Sequence, residues 1–215
     1  MLFGLFFVYL ACLSPSAGAA ASDPLAQVYA KVVPLIQRRN GTLWIPVEVD
    51  ACPADPRNNR GGCMVQTPVR DMSQLTWYHL LFSMPGRTSP YIDVTYNAVN
   101  DSVVVLDIFS PPYMEDMPRS LPYKPADYDN VTLIIAYALA QRFGNAPGIW
   151  ALNVRWPVVP CLTEAVYIFN FNNGTQWGYW FVGTTSGKVC YTSTTNPVPS
   201  NPNCQGPDWS PKCLN

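Results

Sequence analysis

Between Gln74 and Thr185 the apolar side chains recur at every second residue. This period constrains the chain more than any other feature, because it buries one face of a strand and no continuous face of a helix. In Tyr91–Ala98 the set Ile92, Val94, Tyr96 and Ala98 alternates with Asp93, Thr95 and Asn97, and the turn Asn97–Asp101 leads into Val103–Phe109 as an antiparallel hairpin. Further strands are expected over Thr76–Met84, Val131–Leu139, Ile149–Trp156, Ala165–Phe171 and Gln176–Thr184. The last two are joined by Asn172-Asn173-Gly174, whose residues tolerate positive φ. Hairpin-connected strands without intervening helices predict an all-β fold: an antiparallel meander closed into a barrel, or folded into a β-sandwich.

The flanks are organised differently. Met1–Leu13 is an uncharged apolar run followed by Ser14-Pro15 and the small residues Ala17–Ala21, the pattern of a secretory signal over residues 1–20. No other run approaches the roughly 20 apolar residues that a spanning helix needs. Residues 21–73 form an expected N-terminal extension. In it, Asp23 as N-cap and Pro24 at the first position open an amphipathic helix with Leu25, Val28, Tyr29, Val32 and Ile36 on one face, and Pro34 bends or ends it. Residues 40–70 hold Pro46, Pro53, Pro56, Pro68 and the stretch Asn58–Gly62, which predicts an irregular, disulfide-pinned segment. Residues 74–191 form the β domain. Pro111–Asp129, with five prolines, reads as a lid, a recognition loop or a passive connection, and residues 192–215 as a stapled, irregular tail.

Once the signal carrying Cys12 is removed, six cysteines remain: Cys52, Cys63, Cys161, Cys190, Cys204 and Cys213. An even count in an exported chain reads as disulfides. Fifteen pairings are open, and short loops favour Cys52 with Cys63, Cys161 with Cys190 and Cys204 with Cys213. The sequons at Asn40, Asn100, Asn130 and Asn173 each fall in a turn or at an element end, as glycosylation in an export pathway requires.

Composition excludes several functions. Charged residues make up 13% of the chain and the net charge is −1, so there is no field to gather nucleic acid or an anionic membrane surface. A single histidine, His79, leaves no zinc or copper constellation, and no G-x-S-x-G elbow or phosphate-cradling glycine motif occurs. Carboxylate pairs remain open to glycoside chemistry, but no spacing singles one out, and Asp93 and Asp107 are expected on outward, solvated faces. The expectation is a non-enzyme with no cofactor and no metal.

The segment Asp71-Met-Ser-Gln-Leu-Thr-Trp77-Tyr78-His79-Leu80 resembles the first strand of a lipocalin, in which an aspartate and a short turn lead into a G-x-W-Y segment. Ile92–Tyr96 with Val103–Phe109 resembles the next hairpin of apolipoprotein D-like lipocalins, and Gly178-Tyr-Trp180-Phe-Val182 the last barrel strand. Leu75 stands where those proteins carry glycine, Thr184 where they carry arginine, no T-D-Y motif precedes the later strands, and the C-terminal helix is replaced by the proline-rich tail. The resemblance implies a secreted calyx of roughly eight strands that carries or sequesters a small hydrophobic ligand. Strand alternation would line its interior with Trp77, His79 and Leu81; Ile92, Val94 and Tyr96; Val104, Leu106 and Ile108; and Trp150, Leu152 and Val154. Tyr167, Phe169, Tyr179 and Phe181 add aromatic surface. His79 is expected as a hydrogen-bonded structural group, with haem ligation as the alternative. The competing functional reading is a glycosylated sandwich that presents loops to a protein partner.

Overall fold

The structure is a computed structural model, and it describes residues 23–41, 43–58, 63, 67–84, 91–109, 120–123, 131–142, 148–156, 162–172, 176–195 and 212–214. Among these residues nine strands form one antiparallel sheet: β1 (Ile45–Cys52), β2 (Trp77–Ser83), β3 (Tyr91–Asn97), β4 (Ser102–Phe109), β5 (Ile149–Arg155), β6 (Val166–Asn172), β7 (Gln176–Gly183), β8 (Val189–Thr195) and β9 (Lys212–Leu214). Their order across the sheet is β4-β3-β2-β1-β5-β6-β7-β8-β9. The all-β, antiparallel expectation holds. Closure does not: β4 and β9 stand at opposite edges, and no pairing joins them among the described residues. Nor is there a second sheet to make a sandwich among those residues. Two meanders, β1–β4 and β5–β9, meet where β1 pairs with β5.

Helix α1 (Pro24–Asn40) follows the expected pattern, with Leu25, Val28, Tyr29, Val32, Val33 and Ile36 buried. It runs through Pro34 instead of ending there, and Pro34 lies on its exposed side. Gly41, at φ 99°, closes the helix by donating its N–H to the Gln37 carbonyl, while Arg38 and Arg39 complement the negative end of the dipole.

Three expectations are corrected. Ile45–Cys52, expected to be irregular, is the central strand β1. Pro46 is accommodated because its carbonyl accepts from Leu121 N and β5 pairs with β1 only from Glu48 onward, so on that side no strand requires its missing N–H. Residues from Val131 onward, expected as a strand, form helix α2 (Leu133–Gln141), capped by Thr132. The β-branched start conceals a helical set, because Leu133, Ala136, Tyr137 and Ala140 are buried at the spacing of one helix face. The C-terminal region, expected to be irregular, contributes most of β8 and all of β9. The leader, most of loop 111–129, and Cys161, Cys204, Asn130 and Asn173 lie outside the described residues.

Both helices pack on the same sheet face. There Val49, Tyr78, Phe82, Val94, Tyr167 and Phe169 share one apolar core with the buried residues of α1 and α2. Each large, fully buried side chain in this layer contributes about 1.5–3 kcal/mol. Asp23 ties the helices together. One carboxylate oxygen accepts from Leu25 N at 2.9 Å and the other from Leu133 N at 2.8 Å, so a single side chain caps the starts of α1 and α2. Burial pushes its pKa up, against the lowering effect of these backbone bonds. An asparagine offers one acceptor oxygen in place of two. Thermal unfolding should therefore show Asp23→Asn losing about 1 kcal/mol and Asp23→Ala about 2 kcal/mol; equal losses would contradict the shared cap.

Candidate functional site

The register sorts the candidate ligand-binding residues onto two faces. Tyr78 lies opposite Tyr96 and His79 opposite Thr95, so His79 and Leu81 point away from the side that carries Tyr96. Leu152 pairs with Phe169 and Val154 with Tyr167, which places Leu152, Tyr167 and Phe169 with Tyr96 under the helices. All four belong to the apolar core there; Tyr96 also borders a cleft at the rim of α1, and Leu152 borders the concavity described below. Tyr137 of α2 covers Phe169 with ring centroids 5.5 Å apart, and Tyr167 donates its hydroxyl hydrogen bond to the Val131 carbonyl at 3.1 Å. Tyr179 pairs with Asn170 and shares with His79 the opposite face, which carries no helix among the described residues and is called the helix-free face below. Trp150 sits at the irregularity between Ile149 and Ala151 and is half-buried. The side chain of Leu106 lies outside the described residues.

The helix-free face carries two small apolar clusters, one of Val166, Ile168, Phe181 and neighbours, the other of Val47, Leu81 and Tyr91. Between them runs a polar network across four strands. His79 contacts Asp93 through Nε2 at 2.8 Å and Asp50 through Nδ1 at 3.4 Å. Asn153 donates from Nδ2 to Glu48 at 3.0 Å and to Asp50 at 2.5 Å, and Arg155 lies 3.7 Å from Glu48. Trp77 stacks on the His79 ring at 6.1 Å and 17°. Asp93 is thus buried and paired, not solvated as its position in the sequence suggests.

The network sets the charge states. Burial alone would depress the His79 pKa, but hydrogen bonds and charge from Asp50 and Asp93 outweigh it and push the imidazole up to about 9. Burial, and then the neighbouring charge of Asp50, push Glu48 up from its ordinary value, against Arg155 and Asn153. With a carboxylate at each ring nitrogen, the imidazole has no nitrogen left to activate a nucleophile or to ligate haem iron. Among the described residues no group of three or more His, Cys, Asp or Glu is arranged to hold a metal ion.

Next to the network is a concavity of about 300 Å³ lined by Asp50, Trp77, Asn153, Ile168, Asn170 and Tyr179 and bordered by Cys52 and Cys63. These two cysteines form the expected disulfide. Cys190 is also disulfide-bonded, and the register sets it across from Cys213 in the backbone. The concavity differs from two slightly larger clefts, of about 390 and 380 Å³, in the state of its polar atoms. In the first cleft Tyr78 donates to the Leu75 carbonyl and Tyr96 to Asp101. In the second, Glu164 accepts from the amides of Thr185 and Ser186, and Trp156 donates to the Ser120 carbonyl. Of the residues lining the concavity, Trp77, Asn153 and Asn170 each carry a buried polar atom, Nε1, Oδ1 and Oδ1 respectively, with no hydrogen-bond partner among the described residues. Such atoms cost free energy unless a ligand or water satisfies them.

Sequence reasoning missed Glu48, Asp50, Asn153 and Asn170. Their signal was present: Val47-Glu48-Val49-Asp50-Ala51 alternates, and Asn153 and Asn170 each stand between apolar neighbours.

No family model matches the chain, and no curated protein matches it. Among solved structures, it is similar to a protein described as a lipoprotein from Clostridium difficile, at 10% identity and a TM-score of 0.49, covering 77% of this chain and 92% of the other. No helix among the described residues is long and apolar enough to cross a membrane.

The raised His79 pKa has a definite sign. The charged imidazole stabilises the fold fully below its ordinary value near 6.5, and that contribution is lost as pH rises through about 9. Denaturant unfolding between pH 6.5 and 10 should show a loss on the order of 1–2 kcal/mol, reduced from the full linkage value by solvent at Asp50. His79→Gln should abolish this slope; an unchanged slope in the variant would contradict the ion-pair assignment.

Proposed function

We propose that this chain is a secreted glycoprotein that binds, carries or sequesters a small molecule in the concavity on the helix-free face. The observation that carries the reading is the composition of that concavity. It combines apolar and aromatic walls at Trp77, Ile168 and Tyr179 with polar groups at Asp50, Asn153 and Asn170, the mixture typical of small-molecule sites. The aromatic faces suit the apolar body of a ligand, and the polar atoms fix its orientation. The resemblance of Asp71–Leu80 to the opening lipocalin strand supports a carrier, although the ligand site moves from an enclosed calyx to an open face. The apolar leader, the Cys52–Cys63 disulfide and the sequons support export; Asn100 is exposed in the β3–β4 turn and Asn40 ends α1. The protein has no catalytic role in this reading, because the histidine serves to hold the carboxylates in place.

Native mass spectrometry of protein secreted from eukaryotic cells should reveal a stoichiometric small molecule released by solvent. Tyr179→Ala should weaken rebinding of that molecule at least tenfold with little change in melting temperature. Phe169→Ala should instead cost about 3–5 kcal/mol of stability without a selective effect on binding. An empty protein that captures a protein partner through the same face would replace the carrier by an interaction module. Binding lost with Phe169 and unaffected by Tyr179 would return the ligand to the helix-covered side.

A further inference from the structure

Among the described residues, the charges around the concavity do not balance. Among the described residues, Glu48, Asp50 and Asp93 supply three carboxylates, and His79 and Arg155 supply two cations within 4 Å of them. One negative charge is left over. His79 bridges Asp50 and Asp93, while Arg155 attends Glu48. Of the three carboxylates, Asp50 alone lines the concavity, and its side chain is 42% exposed there.

Among the described residues the hydrogen-bonding capacity is unbalanced in the same direction. Asn153 is oriented by its two donations from Nδ2 to Glu48 and Asp50, which leaves Oδ1 as an acceptor without a donor. Asn170, only 8% exposed, presents a second unpartnered acceptor. Against these stands one unpartnered donor, the indole N–H of Trp77, also 8% exposed. A ligand that completes the site must therefore bring several donors, one positive charge and one acceptor. A neutral apolar molecule would leave every one of these atoms unsatisfied, and an anion would meet Asp50.

Resting on the reading of the concavity as a ligand site, we propose that it takes a small primary ammonium compound with an aromatic or aliphatic body and a nearby hydroxyl or carbonyl oxygen. An ammonium offers three donors, matching the Asp50 carboxylate and the two amide oxygens. The oxygen of the ligand accepts from Trp77 Nε1. The faces of Trp77 and Tyr179 stabilise the cation through their quadrupoles and cover the ligand body. A volume of about 300 Å³ admits a single small molecule and no bulky lipid.

The test is calorimetric titration of the intact, glycosylated protein with phenylethanolamine and with its neutral isostere, phenylethylene glycol, in which a hydroxyl replaces the ammonium. The amine should bind at least tenfold more tightly than the glycol. Asp50→Asn, with folding checked by circular dichroism, should weaken amine binding at least tenfold and so remove that preference; a preference retained in the folded variant would overturn the ammonium assignment. Equal binding of the two probes by the unmodified protein would overturn the ammonium assignment while leaving the concavity as a ligand site. Binding of neither probe would also overturn it, and the molecule released from the secreted protein would decide the broader reading separately. N-acetyl-lysinamide distinguishes the source of the ammonium: binding as tight as that of phenylethanolamine points to a lysine side chain of a partner, and much weaker binding to a free amine.

Discussion

The structure depends on four backbone pairings at its centre, in which Glu48, Val49, Asp50 and Ala51 of β1 lie opposite Arg155, Val154, Asn153 and Leu152 of β5. These pairings are the join between the two meanders. Without it, β1 and β5 would each expose a row of unpaired N–H and C=O groups, and both meanders would lose the shared apolar layer beneath α1 and α2. Asp23 reinforces the join on the helix side by capping both helices at once. Asn153 reinforces it on the other side by bonding across it to Glu48 and Asp50.

The two faces then take up opposite tasks. On the helix-covered face, Val49, Val154, Tyr167 and Phe169 are fully buried and give the sheet its stability. On the helix-free face the same strands place carboxylates, amides and the lone histidine at alternate positions, where burial is tolerated because most of them find partners. A polar site built on the central strands of a packed sheet is held more rigidly than one built on loops. Among the described residues the partners run out at the edge of the concavity, at Trp77 Nε1 and Asn170 Oδ1, and the imbalance there is both electrostatic and hydrogen-bonding in kind.

Much of the fold was legible in the residues because local signals agreed. Asp23-Pro24 and the spacing from Leu25 to Ile36 describe α1, and alternation describes β2, β3, β6 and β7. The remainder was hidden by competing signals. Prolines at 46 and 53 mask the alternation of β1, although Pro46 lies beyond the stretch that pairs with β5, so the strand is possible. Val131–Ile135 favours a strand by propensity, yet tertiary burial of Leu133, Ala136, Tyr137 and Ala140 selects a helix. The site was only half legible because a two-residue period specifies that faces exist, not which faces of different strands coincide. Grouping Trp77, His79 and Leu81 with Ile92, Val94 and Tyr96 crosses the sheet by one residue. The β2–β3 register, with Tyr78 opposite Tyr96, corrects it.

In the proposed function the helix-free face beside the β1–β5 join, and not the interior beneath the helices, holds the ligand. A high-resolution crystal structure of the secreted protein with its co-purified molecule tests this most directly. Ordered density is expected in the concavity, within hydrogen-bonding distance of Asp50, Asn153 and Asn170 and against the rings of Trp77 and Tyr179. Density lodged instead between α2 and Phe169, with the concavity filled by side chains alone, would contradict it.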